Sequence, residues 1–120
     1  MSTQSLTNRY LCPAILDLMQ HGVEPAAAIE RALAPDQGCH LRQVQAVNRE
    51  GRTAAWTGKH CVDWSGERTD SHTSVAGNLL AGPQVVSSTL DTFAEHSHLE
   101  LPDRPRNEGR ARIADRRPAP

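Results

Sequence analysis

The sequence predicts an α+β fold, and two changes in hydrophobic period carry that reading. Apolar residues recur at helical spacing up to about residue 34, alternate with polar ones from Arg42, and return to helical spacing after Gly82. Glycine, proline and asparagine fall at the junctions, where the backbone has to turn. At 120 residues the chain fits one domain.

In "RYLCPAILDLMQHG" the residues Leu11, Ile15, Leu18 and Met19 share one helix face, Pro13 suits the first turn, and Gly22 is placed to end the helix. A second helix is expected from Pro25 to about Ala34, with Ile29, Ala32 and Leu33 on its buried side and "APDQG" as its stop. The two should pack as a pair. From Arg42 the alternation of "QVQAV", the turn "NREG" and the run "TAAWTG" describe a β-hairpin. A third strand is expected through "HTSVAGN", with Gly77 and Asn78 permitting a sharp turn after it. Gly82 and Pro83 open a last helix, whose face is expected to be Val86, Leu90, Phe93 and Ala94. The expected order is helix, helix, strand, strand, strand, helix. Residues 1–7 read as a disordered leader, 8–100 as the folded domain, and 101–120, with six arginines and four prolines, as a disordered tail.

Only 38% of the residues are apolar and 3% aromatic, so the core should rest on aliphatic side chains. Three cysteines and an N-terminus without a charged start and apolar run argue against a disulfide framework and for reduced thiols in the cytoplasm. No apolar run approaches the roughly 20 residues that span a bilayer, so no membrane role is expected. The arginines of the tail are interleaved with three acids and lack an aromatic residue to stack on bases, which argues against nucleic acid as a partner.

Three constellations bear chemistry. Cys39, His40, His60 and Cys61 carry zinc-ligand atoms, with His72 as a further donor, but adjacent residues of a strand point to opposite faces and the spacing matches no common finger. A metal is therefore not expected, and Cys61 reads as a small buried hydrophobe. As a nucleophile Cys61 would need His60 as base, and in extended chain that neighbour faces away. The Ser/His pairing in "TDSHTS" meets the same objection, which favours a polar loop. No cofactor is called for.

Read together, "NRYLCPAILDLMQHGVEPAAAIERAL", "RQVQAVNREGRTAAWTGKHCVDWSG", "GNLLAGPQVV" and "TFAEH" resemble the bacterial and archaeal domain-of-unknown-function 1028 family. The family's core string falls on Thr57, Gly58, Cys61, Trp64, Gly66, Gly77 and Asn78. The resemblance implies an N-terminal-nucleophile-hydrolase-like α-β-β-α sandwich, of which this chain carries a part, at about residues 8–100. It makes Thr57, Cys61 and Asn78 the candidate site residues, with Asn78 a donor to an oxyanion or substrate. Glu67 and Ala76 stand where the family usually has His and Gln.

In that hydrolase class a terminal Thr, Ser or Cys attacks a carbonyl while its own amine, of pKa about 8, acts as base. Removal of Met1 exposes Ser2, but the leader has no alternating pattern to hold it on a core strand. The family pattern places strands before the first helix, and a further helix and strand after "LELPD". The expectation is thus an inactive, truncated member. Two alternatives stand beside it: an amide or ester hydrolase restored by a second copy or a complementing chain, and a non-catalytic binding module.

Overall fold

The computed structural model describes residues 1–103. Along the chain lie β1 (Ser2–Ser5), α1 (Leu11–Gln20), α2 (Pro25–Leu33), β2 (Arg42–Val47), β3 (Thr53–Thr57), β4 (Gly66–Asp70), β5 (Thr73–Gly77) and α3 (Pro83–Glu95). Short 3-10 turns occupy Cys39–Leu41 and Leu101–Asp103. Every strand pair is antiparallel, in a three-stranded sheet ordered β1-β2-β3 and a two-stranded sheet β4-β5. The fold is α+β, as the changes of period predict. The α1/α2 pair covers one face of the first sheet, β4-β5 stacks on its other face, and α3 lies on β4-β5.

Strand β2 shows how the sequence dictates this layering. Val44 and Ala46 turn toward the helices and join Leu11, Ile15, Ala28, Ile29 and Leu33 in one apolar core. Each of the larger aliphatic side chains contributes roughly 2 kcal/mol by leaving water. Because side chains alternate, Gln43 and Gln45 turn toward β4-β5. There Gln43 donates to the carbonyls of Gly66 and Gly77, and Gln45 accepts from the Ser74 hydroxyl. The helix–sheet layer is therefore apolar, and the sheet–sheet layer holds a polar network.

Helix α1 ends as the sequence predicts. Gly22, at φ +87, closes a Schellman motif in which its N–H reaches Met19 O and the Val23 N–H reaches Leu18 O. The crossover from α2 to β2 is fixed by a fork: Arg42 donates from Nε and Nη2 to Asp36 at 2.9 and 3.2 Å, and from Nη1 to Leu6 O at 2.7 Å. Asp36 also accepts from the Gly38 N–H and from Asn8 Nδ2. One ion pair thus ties the β1–α1 link to the start of β2.

Four expectations differ from the structure or leave it. Residues 2–5, read as part of a disordered leader, form edge strand β1, paired Ser2↔Gln45 through Ser5↔Arg42. A four-residue polar strand has no periodic signal of its own and exists through its partner. Strand β4 was not expected for the same reason: "GERTD" acquires its conformation by pairing with β5. Helix α3 buries Val85, Val86, Leu90 and Thr92, while Ala94 is exposed. Val86 and Leu90 lie on the buried face as predicted, and that face extends toward Val85 and Thr92 instead of Ala94. From residue 104 the expected disordered tail lies outside the described residues.

Candidate functional site

The polar network between the sheets centres on Gln43, which is 1% exposed. Its Nε2 donates to Thr57 Oγ1 at 3.0 Å, Gly77 O at 2.9 Å and Gly66 O at 3.2 Å. Its Oε1 accepts from Gln4 Nε2 at 2.8 Å and, at 3.4 Å, from Asn78 Nδ2. Two N–H groups therefore serve three acceptors, and one side chain bonds to residues of β1, β3, β4 and β5 and to Asn78 just after β5. Inside a fold each of these bonds is stronger than in water, and leaving one unmade is correspondingly costly.

Thr57 lies directly opposite Gln43 in the β2–β3 register. Its hydroxyl accepts from Gln43 and donates to Glu67 Oε2 in a very close contact, so both its donor and acceptor sides are engaged. Glu67 projects from β4 beside Ala76, its pair on β5. Gln43, Gln4 and Asn78 supply amide groups, Thr57 a hydroxyl and Glu67 a carboxylate. Gln43 and Thr57 are committed within the network, which leaves the Asn78 amide, held only at 3.4 Å, as the group able to donate to a polar substrate or a developing oxyanion.

Of the candidates read from sequence, Thr57 and Asn78 belong to this cluster and Cys61 does not. Cys61 is buried, and its thiol donates to Arg42 O at 3.3 Å. The preceding Gly58 packs so closely on the His40 backbone that a Cβ there would collide with it. His40 and His60 do approach, with ring centroids 5.7 Å apart, and Trp56 donates from Nε1 to Cys39 O. Among the described residues no group of three or more His, Cys, Asp or Glu side chains converges to hold a metal ion.

The neighbour argument against Ser71 and His72 fails locally. At the β4–β5 turn His72 takes φ +70, and the Ser71 hydroxyl lies 2.9 Å from its Nδ1. Both side chains are exposed, and the His72 ring sits over Gly51 of the facing hairpin. Ser2, on β1, accepts from Gln45 Nε2 at 3.0 Å. With Gln45, Ser74, His72 and Phe93 it lines an open pocket of about 270 Å³ at the end of the seam between the sheets.

Sequence reading missed Gln43, the centre of the network. The available signal was the alternation "RQVQAV": in a two-sheet sandwich the polar face of an inner strand is buried as well.

These features define an α+β sandwich with a polar seam between its two sheets. The chain belongs to the family of unknown function DUF1028, whose model matches residues 1–105. Its fold is similar to that of the crystal structure of protein SPO2555 from Silicibacter pomeroyi, a protein of the same family. The TM-score is 0.83 at 23% identity over 95% of this chain, which spans 52% of that protein's length. No curated protein matches the chain.

Proposed function

We propose that this chain is the core portion of an N-terminal-nucleophile-hydrolase-like sandwich for amide or ester hydrolysis, inactive by itself. The reading rests on one observation: Gln4, on outer strand β1, is hydrogen-bonded to Gln43 and through it to Thr57, Glu67 and Asn78. A strand added along β1 brings its side chains beside that network. The nucleophile comes from such a strand, because the Thr57 hydroxyl is already engaged on both sides. In the working assembly Asn78 Nδ2 donates to the developing oxyanion, while Gln43 and Glu67 hold Thr57 and the seam in place.

The test compares this chain with SPO2555, the longer relative, on p-nitroanilide and p-nitrophenyl ester panels. Turnover is expected from the relative, with loss on acetylation of its terminal amine, and none above a heat-denatured control from this chain. A relative inert toward every substrate sinks the hydrolase reading. Turnover by the chain alone sinks the inactivity.

A further inference from the structure

The outer edge of β3 borders an apolar groove of about 490 Å³, walled by Ile29 and Leu33 of α2 and by Cys39, Ala54 and Trp56. Among the described residues strand β3 ends the first sheet, and its sequence "TAAWT" carries none of the lysines or prolines with which edge strands are normally guarded. The other outer strand, β1, is the polar "STQS".

The direction of the backbone groups on β3 follows from two bonds. The Gly58 N–H donates to Arg42 O, and Arg52 O accepts from the Asn48 N–H, so residues 52 and 58 point toward β2. Alternation makes Ala54 and Trp56 point the same way, which leaves the N–H and C=O of Thr53, Ala55 and Thr57 facing outward. These three positions are symmetric about Ala55. When β3 lies antiparallel to its own copy with Ala55 opposite Ala55, Thr53 meets Thr57 on both sides. Every outward group then finds a partner, in about six hydrogen bonds. On the helix side the same register sets the large Trp56 against the small Ala54 of the other copy, twice. The Trp56 ring is already held by its bond to Cys39 O, so it enters this contact with little ordering left to do.

We propose that β3 is a homodimerisation edge: two copies pair β3 with β3 about a twofold axis at Ala55, joining their first sheets into one six-stranded sheet and covering both grooves. The partner is a second copy because the edge is complementary to itself in backbone direction, register and side-chain size together. The interface is independent of the hydrolase reading, since it uses the opposite edge from β1.

Sedimentation velocity of the full chain across a concentration series tests the proposal. A monomer–dimer equilibrium is expected, and Ala55→Pro should return the protein to monomer with its far-ultraviolet dichroism unchanged. The lost N–H points away from β2, a place where an edge strand tolerates proline. Ala55→Cys, in a background of Cys12→Ser and Cys39→Ser, should form a disulfide-linked dimer under mild oxidation, which checks the register without relying on the proline variant. Ala54→Cys in the same background should not, because it faces Trp56. A wild-type chain that stays monomeric overturns the proposal. So does a dimer in which neither Ala55→Pro nor Ala55→Cys has its expected effect, or one that forms only with a different protein.

Discussion

Gln43 and Thr57, directly opposite each other on β2 and β3, are joined by a 3.0 Å hydrogen bond in which the glutamine amide donates to the threonine hydroxyl. The same amide reaches the carbonyls of Gly66 and Gly77 in the second sheet. Gln43→Leu keeps the side chain's bulk but leaves these two carbonyls, Gln4 and Asn78 without that partner. At about 1 to 3 kcal/mol for a buried polar group left unmatched, a loss of roughly 3 kcal/mol is expected. Thr57→Val removes only the hydroxyl and should cost less. Urea unfolding midpoints of the two variants check the order, and equal losses would show that Gln43 does not hold the sheets together.

Asp36 sets an acid limit on the fold. Its bonds to Arg42 hold its pKa down from 3.8 to about 2, against the opposing effect of burial, with Gly38 and Asn8 adding to the depression. A carboxylate whose folded pKa lies below its unfolded value stabilises the fold fully above about pH 4, and that contribution fades as pH falls toward 2. Asp36→Asn should lower stability at pH 7 and flatten its decline between pH 4 and 2. Melting temperatures of both proteins across that range provide the comparison, and parallel curves would refute the assignment.

How far the sequence could be read depended on where each element gets its order. The periodicity of α1 and α2 reflects an apolar face that each helix carries itself, and Gly22 and Pro25 mark their bounds. The β2–β3 hairpin was legible because its alternation meets an apolar layer on one side. Strands β1 and β4 were not, since "STQS" and "GERTD" have no apolar rhythm and are ordered by their partners. The site divides in the same way. Thr57 and Asn78 stand out through the family string, whereas Gln43 looks like an ordinary solvent-facing residue until a second sheet is laid over it.

Thr3 offers a stabilising change. It sits opposite Val44 on the helix-facing side of β1, and its buried hydroxyl has no hydrogen-bond partner. Thr3→Val exchanges that hydroxyl for a methyl group of nearly the same size and ends the desolvation penalty, so a gain of about 1 kcal/mol is expected. Thermal melting reads it directly. A lower midpoint would mean that the hydroxyl is satisfied in solution.

Gly58 makes a prediction of the opposite sign. A Cβ at this position would run into the carbonyl carbon and oxygen of His40, atoms of the main chain that cannot swing aside as a flexible side chain can. The surrounding bonds also resist a shift, because the Gly58 N–H donates to Arg42 O and the His60 N–H to His40 O. Relief of the overlap must therefore separate the end of β3 from the 3-10 turn at Cys39–Leu41, and with it weaken the bond from Trp56 Nε1 to Cys39 O. Gly58→Ala should cost about 2 kcal/mol or more, in the range of an overpacked core. It should also change the fluorescence of Trp56, which a Trp64→Phe background isolates from the other tryptophan. Full stability with an unshifted emission maximum would show that the turn accommodates a side chain and that glycine is not required there.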